Sequence, residues 1–166
     1  MKSVELKCDQ TYHENGRIKY ETYYLNGIRH NDNAPAYRGW HKNGQVASEG
    51  YYLNGKLHND NGPAFRSWHD NGQVRSEEYF LNGERHNDNG PAYQTWHDNR
   101  QRTSEAYQLN GKYHNDNGPA YRAWYDNGQV AYETYYLNGV KLSKEKFEKR
   151  NVPSYANKRV VIDGVT

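Results

Sequence analysis

The stretch "LNGKLHNDNGPAFRSWHDNG", residues 53–72, decides the fold of this chain. It holds three Asn-Gly pairs, one proline and short aromatic runs between them. Nearly the same letters stand 28 residues earlier, and again 28 and 56 residues later. A fixed period of about 20–50 residues is typical of stacked repeats, because one unit cannot bury its own apolar face. The sequence therefore predicts an array of repeated units.

Several markers keep the 28-residue period and fix the limits of the units. They are Leu25, Leu53, Leu81, Leu109 and Leu137 of the LNG motif; His30, His58, His86 and His114; Pro35, Pro63, Pro91 and Pro119; and Trp40, Trp68, Trp96 and Trp124. Four full units span residues 25–136, and a degenerate half-unit, residues 12–24, precedes them. We expect residues 1–142 to form one β-repeat array.

The Asn-Gly pairs predict β-hairpins. Of the 15 glycines, 12 directly follow Asn, and Asn-Gly favours the type I′ turn, in which both central residues have positive φ. Runs such as residues 74–81 alternate polar and aromatic or β-branched side chains, as strands do. We predict an all-β, elongated antiparallel β-meander with two strands of five to eight residues per unit. A short third strand is possible at residues 56–58.

Comparing the copies with one another predicts how the faces are used. Glu and, two residues later, Tyr recur in the second strand, at Glu49, Glu77, Glu105 and Glu133 and at Tyr51, Tyr79, Tyr107 and Tyr135. Because side chains alternate between faces, we expect these on one face, Trp stacked over Trp, Tyr over Tyr, and an aromatic core. Arg100 replaces a turn Gly, so we expect a different turn there. Ala34 replaces another Gly, which indicates a position without positive φ.

The C-terminal tail differs from the units. Ser143 is a candidate N-cap for a helix that ends near Arg150, and "NKRVVIDGVT", residues 157–166, is typical of a strand and a turn. We expect residues 143–166 to form a short helix and strand that cap the array, since repeat arrays need ends that cover their last exposed face.

Composition excludes several classes of function. The 22 basic and 20 acidic residues are interspersed and give a net charge of +2, so we expect no nucleic-acid partner and no membrane partner. Cys8 alone cannot form an internal disulfide. The first residues lack an apolar segment of signal-peptide length, so we expect a soluble, cytoplasmic protein.

The motif HNDNGP contains residues typical of metal and catalytic sites. One His per unit puts successive His side chains about 9–15 Å apart, too far apart to share a zinc ion, whose ligands lie about 2 Å from it. Asn and Asp side chains commonly bond to nearby backbone amides in turns. We therefore predict a turn, with no metal, no cofactor and no catalytic residue, since a row of equivalent glutamates is not one distinct catalytic site.

The units resemble a known repeat. "NGQVASEGYYLNGKLHNDNGPA", residues 43–64, resembles the MORN-repeat variant, in particular an expanded form with H-x-x-x-GPA found in proteins of bacteriophages and large DNA viruses. Related variants occur in bacterial proteins described as antitoxin-like. The resemblance covers residues 12–142 and implies an antiparallel β-meander that serves as a binding or scaffolding surface. Classical MORN arrays are linked to lipid or protein partners, and the 28-residue unit, the absence of a basic face and Arg100 argue against lipid here.

We therefore predict a non-enzymatic repeat protein that binds another protein as a scaffold or inhibitor, with a host defence factor or a toxin as the partner if the chain is viral. One alternative is a sponge for a nucleotide signal, whose bases stack on the aromatic ladders. Another is a structural component of a virion. Self-association through a sheet edge is compatible with all three. Departures from the repeat are the candidate contact positions: Arg75, Glu78, Arg100, Arg102 and Gln108.

Overall fold

A computed structural model describes residues 6–150, about half of which lie in short β-strands. The strands are β1 (Leu6–Tyr12), β2 (Ile18–Leu25), β3 (Ile28–Arg29), β4 (Tyr37–Trp40), β5 (Val46–Gly50), β6 (Tyr52–Leu53), β7 (Lys56–Leu57), β8 (Phe65–Trp68), β9 (Val74–Glu78), β10 (Phe80–Leu81), β11 (Glu84–Arg85), β12 (Tyr93–Trp96), β13 (Arg102–Ala106), β14 (Gln108–Leu109), β15 (Lys112–Tyr113), β16 (Tyr121–Trp124), β17 (Val130–Leu137) and β18 (Val140–Leu142). One helix follows, α1 (Lys144–Lys149).

The strands form one long, open antiparallel sheet. Its order is β1-β2-β4-β5-β8-β9-β12-β13-β16-β17-β18, with β3 paired beside β2, so each unit adds two strands next to those of the unit before it. Three further pairs, β6–β7, β10–β11 and β14–β15, are separate two-stranded hairpins. The predicted all-β meander and the short third strand of each unit are both confirmed.

Strand lengths differ from the prediction in the interior units. The first strand of a full unit has four residues, as in β8, and the second is interrupted at Tyr51, Tyr79 and Tyr107 before the hairpin begins. At each interruption the Tyr amide donates to an alanine carbonyl of the following GPA segment, for example Tyr79 to Ala92 at 2.8 Å. The chain turns there from the main sheet into the small hairpin, so alternation along 74–81 is not that of one strand.

The Asn-Gly pairs form three kinds of turn rather than one. In the LNG turns both residues have positive φ, as at Asn54 (φ 51°) and Gly55 (φ 80°), which confirms the type I′ prediction for that class. In the turn after each Trp only the second residue of the pair is left-handed, as at Gly72, or at Arg100 in the third unit. In the HNDNGP loop neither residue has positive φ, which explains why Ala34 can replace Gly in the first unit.

Arg100 keeps the turn that glycine forms in the other units, so the expected change of turn is wrong. Its φ is 70°, and its amide donates to the His97 carbonyl at 3.0 Å, as Gly72 does to His69 at 2.9 Å. The side chain bonds to Gln73 of the preceding unit. A neighbouring turn of the same form thus holds Arg100 in a backbone conformation that is unfavourable for residues with a Cβ.

We expect Arg100→Gly to stabilise the protein by about 1 kcal/mol. A non-Gly residue in the left-handed region costs about 1–2 kcal/mol, and losing the exposed hydrogen bond between Arg100 and Gln73 offsets only part of the stability gained by removing that cost. The measurement is the free energy of unfolding in urea. The control is Gly128→Ala, at φ 80° in the equivalent turn, which should be destabilising. A loss of stability in Arg100→Gly would contradict this account.

Apart from Tyr135 and Phe147 near the C-terminal end, the buried apolar core consists of alanines, so the expected aromatic core is wrong for the array. Ala36, Ala64, Ala92 and Ala120, the alanines of the GPA segments, are 0% exposed, and no large side chain among residues 6–150 is fully buried. Tyr and Trp side chains are mostly half-buried. A sheet that stacks units edge to edge covers its backbone closely and leaves its side chains partly in water.

A bulge recurs with the repeat in the second strand of every hairpin. Opposite Thr95 and Trp96, for example, stand Ser104 and Arg102, so Thr103 is an extra residue. The bulge residues are Lys19, Ala47, Arg75, Thr103 and Ala131. In such a bulge one extra residue is inserted and the strand bends. The Thr103 hydroxyl lies 2.5 Å from that of Thr95, which Ser104 also contacts, so 103 and 104 share a face.

The C-terminal end of the sheet is covered by α1. The Ser143 hydroxyl accepts a hydrogen bond from the Lys146 amide at 3.2 Å, which confirms the predicted N-cap. Phe147 is 5% exposed and packs on Tyr135 at 4.9 Å between ring centroids. The expected strand within residues 157–166 lies outside the described residues. The division at residue 142 stays a prediction.

Candidate functional site

The HNDNGP loop is a turn that links one unit to the next. The Asn59 side chain accepts from the Asn61 amide at 3.0 Å and donates to the Pro63 carbonyl at 3.1 Å. His58 Nδ1 accepts from the amide of Asn82, in the next LNG turn, at 3.1 Å, and Nε2 faces Asp60 at 3.3 Å. His30, His86 and His114 make the same bond to Asn54, Asn110 and Asn138. These histidines are therefore structural.

A second histidine row links the turns at the other edge. His13, His41 and His69 each contact, through Nε2, the carbonyl of the Trp one unit ahead, at 2.8–3.1 Å. The Asn43 amide group donates to the Asp70 carbonyl at 3.1 Å in the same way. Among residues 6–150 no group of three or more His, Cys, Asp or Glu side chains could hold a metal ion.

One face of the sheet, which we call the ladder face, carries a row of alternating charges. Strand register places these residues side by side across the sheet: Glu21, Arg38, Glu49, Arg66, Glu77, Gln94, Glu105, Arg122 and Glu133. Arg38 bonds Glu49 at 2.7 Å, and Arg122 bonds Glu133 at 2.6 Å. The sequence showed the recurring Glu but the matching Arg was missed, although three copies keep the 28-residue spacing.

The ladder is broken at Gln94, and Arg102 compensates. Glu105 is 4% exposed and lies opposite Gln94, which cannot neutralise it. Arg102 Nη1 reaches Glu105 at 2.6 Å from the same strand, and Arg122 Nη1 lies 3.4 Å from its other oxygen. A buried carboxylate needs such partners, because an unpaired buried charge is costly. Arg102, a predicted contact residue, thus has a structural task.

Three of the four tryptophans, Trp40, Trp68 and Trp124, stand beside arginines, so the expected Trp-on-Trp ladder is wrong. The Arg66 guanidinium lies 5.9 Å from the Trp68 ring centroid, and Trp124 has Arg122 at 5.6 Å and Arg102 at 5.8 Å. Consecutive Trp residues are two strands apart, about 9.6 Å, which is too far for their rings to stack. Arginine fills this interval and makes cation–π contacts. All four Trp side chains are half-buried.

The opposite face, which we call the groove face, has a floor of small residues. The floor is Gly39, Ser48, Ser67, Ser76, Thr95, Ser104 and Ala123, which lie side by side across the strands. Tyr20 and Tyr132 lie at its two ends. Tyr37, Phe65, Tyr93 and Tyr121 form the adjacent row, over which the hairpins pack: Arg85 lies 4.7 Å from the Tyr93 ring, and Tyr113 packs edge-on against Tyr121.

The glutamate row raises the pKa of several neighbouring tyrosines. Burial, and then the neighbouring charge of the Glu two residues earlier, raises the pKa of Tyr79, Tyr107 and Tyr135. At Tyr23 the hydrogen bond to Glu21 is the main cause and raises the pKa to about 12. A carboxylate that accepts the phenol proton in a hydrogen bond favours the neutral phenol.

We expect an ultraviolet titration of tyrosinate to show one phenol with a pKa near 12, absent in Tyr23→Phe and shifted downward in Glu21→Gln. Unfolded tyrosine ionises near pH 10. The stability that Tyr23 contributes is therefore fully present below pH 10 and is lost as pH rises to about 12. Urea unfolding of the wild type and of Tyr23→Phe across this range measures it. Identical pH dependence in the two proteins would disprove the coupling.

The five predicted contact residues do not lie on one surface. Arg75 is exposed at a bulge on the groove face, and Glu78 on the same face pairs with Arg85 at 2.5 Å. Arg102 is on the ladder face and Arg100 in an exposed turn. Gln108 is 7% exposed, and its Oε1 has no hydrogen-bond partner within residues 6–150. Their contact with a partner stays a prediction.

Comparison with known proteins finds one similar repeat family. The family described as "MORN repeat variant" matches residues 10–26, 36–54, 64–82 and 120–138, together a little under half of the chain. The matched segments exclude the equivalent residues of the third unit, 92–110, where Gln94, Arg100 and Gln108 depart from the other copies. Searches of curated proteins and of solved structures found no match.

MORN repeats are typically modules that bind proteins or membranes and are generally not enzymes. Within the described part of the chain no helix has the length and apolarity to cross a membrane. Each matched segment covers two neighbouring strands of the main sheet and ends in the following LNG turn. Residues 36–54, for example, contain β4 and β5 and end at Asn54. At these four places the chain is therefore similar to the MORN repeat variant.

Proposed function

We propose that this protein is a non-enzymatic binding module whose partner is another protein, docked on the ladder face near Trp124. The observation that carries the proposal is the position of Trp124 between Arg102 and Arg122 on a sheet of many strands. Trp and Arg are the residues that dominate binding energy at protein interfaces. A rigid sheet presents them with little conformational entropy to lose on binding.

The charges of this face support a protein partner rather than a lipid surface. Arginines and glutamates alternate along the ladder and neutralise one another, as Arg66 and Glu77 do at 2.5 Å. An anionic membrane would instead need an excess of basic residues. The recurring glutamates are also committed to ion pairs, which supports a role other than catalysis for that row.

The resemblance to repeats of viral and antitoxin-like proteins supports a finer proposal. The partner would be a host defence factor or a toxin, which the array occupies and inhibits in the cytoplasm. Stoichiometric occupation suits a protein without a catalytic centre, because inhibition then requires one array for each target molecule.

The test is capture of a partner from host lysate by the tagged full chain. The measured quantity is the molar ratio of each bound protein to the tagged chain. We expect one stoichiometric partner, lost with Trp124→Ala and kept with Tyr132→Ala, a matched aromatic truncation on the groove face, where Tyr132 is 52% exposed. Circular dichroism must show that both variants fold. Failure to capture a stoichiometric partner, or equal capture by both variants, would refute the proposal.

A further inference from the structure

The groove face contains a cleft with unpaired positive charge near its N-terminal end. It encloses about 600 Å³ above Ala47, and its lining includes Lys19, Arg75, Tyr20 and Tyr37. Volumes of about 300–1,000 Å³ are typical of small-ligand sites. Trp40 and Trp68 also belong to the lining, whereas Trp124, their counterpart in the fourth unit, does not.

The cleft exists because two positions in this part of the sheet hold small residues. At Gly39 a Cβ would lie 2.9 Å from Ser48 Oγ and 3.1 Å from the Tyr20 ring, so glycine lets the ring lie across the floor. The other units have Ser67, Thr95 or Ala123 at this position. In the bulge row Ala47 stands between Lys19 and Arg75, so a short side chain separates two long cationic ones.

The cations of the cleft are free to meet a ligand. Within residues 6–150 Arg75 has no ion pair, no hydrogen bond and no aromatic contact, whereas Arg38, Arg66, Arg85, Arg102 and Arg122 each pair with a glutamate. In the same part of the chain Lys19 Nζ contacts only the Tyr20 ring, 5.2 Å from its centroid. The carboxylate in the lining, Asp70, is already paired with His41 Nδ1 at 2.6 Å.

The remaining lining fits an anion that carries a planar ring. Tyr20 and Tyr37 stack at 5.9 Å with 24° between their planes, and Tyr20 is 40% exposed. Ser48 and Ser67 add hydroxyls to the floor. Aromatic rings accept stacking from a planar ring, and Lys and Arg bind phosphate oxygens. Lys19 and Arg75 are about 19 Å apart at Cα, four strands of about 4.8 Å, a gap that their long side chains narrow from both sides.

We propose that this cleft binds a nucleotide-class ligand, an aromatic ring that bears phosphate, with the ring against Tyr20 and the phosphate held by Arg75 and Lys19. Such a site is separate from the protein-binding surface proposed above. Its affinity depends on exposed cations, so it weakens as salt screens them.

Isothermal titration of the full chain with AMP tests the site, with adenosine and inorganic phosphate as partial ligands. We expect one AMP per chain, at least tenfold weaker binding of either partial ligand, and at least fivefold weaker AMP binding in Arg75→Gln and in Lys19→Gln. Ala47→Arg should abolish binding by filling the cleft. Ala131→Arg places the same side chain at the equivalent bulge, beside Thr103, and should leave AMP binding unchanged.

Three results would overturn the proposal: no heat with AMP on the folded wild type, phosphate bound as tightly as AMP, or equal loss in Ala47→Arg and Ala131→Arg. Urea unfolding of each variant shows that it folds. Trp124→Ala should bind AMP normally, so the failure of this site and the failure of the protein-binding surface are told apart.

Discussion

Ala92→Leu is expected to lower the free energy of unfolding by about 3 kcal/mol, the upper end of the usual cost of overpacking. Ala92 is 0% exposed, its amide donates to the Ala106 carbonyl at 2.8 Å, and its own carbonyl accepts from Tyr79 at 2.8 Å. A leucine at this junction must push apart a backbone that is fixed on both sides. Urea denaturation measures the effect.

The matched control is Ala47→Leu, at a half-buried position beside the open cleft. There the added atoms have room, and we expect a change below about 1 kcal/mol. Equal stability of Ala92→Leu and the wild type would show that the alanine row is not the tightly packed core of the array.

Glu105→Ala is expected to cost about 3 kcal/mol, within the usual range for breaking a buried ion pair. Glu105 is 4% exposed and joins Arg102 to Arg122. Glu133→Ala should cost less, because the side chain of Glu133 is 25% exposed and water can replace part of its role. Urea unfolding compares the two variants directly.

A rescue variant separates this network from general loss of packing. Arg102→Ala removes the cation that compensates for Gln94, and Gln94→Arg in that background restores an arginine opposite Glu105, as at Arg38 and Arg66. We expect the double variant to be more stable than Arg102→Ala alone. If Gln94→Arg does not restore the stability lost in Arg102→Ala, an arginine placed opposite Glu105 by strand register is not enough to form the ion pair.

The repeat, the strands and the LNG turns could be predicted because each depends on local chemistry that recurs at a fixed interval. Asn54 and Gly55 adopt positive φ for reasons contained in the two residues themselves. The turn at Arg100 was harder to predict, because a residue outside that turn, Gln73, bonds to Arg100 and helps to hold its backbone in the left-handed conformation. Local preference predicted a different turn, and the array overrode it.

The faces could be predicted only in part, because the bulge breaks the alternation rule. Simple alternation puts Arg75 on the face of Glu77, but the extra residue in β9 puts it beside the groove. The cleft and its free cation were therefore invisible in the pattern. The alanine core was missed for another reason. Alanine gives no strong hydrophobic signal in a sequence, but only a short side chain fits where the backbones of neighbouring units lie close together.

The histidine bonds between units join residues 24 or 27 positions apart, such as His58 to Asn82 and His41 to Trp68. At the His58-type bonds each copy meets its successor through the same contact, while the third unit departs elsewhere, as at Gln94. An in-frame genetic duplication or deletion of 28 codons would therefore keep these histidine bonds at the new junction. Recombination between near-identical coding segments could therefore lengthen or shorten the array in evolution without requiring a new set of contacts between units.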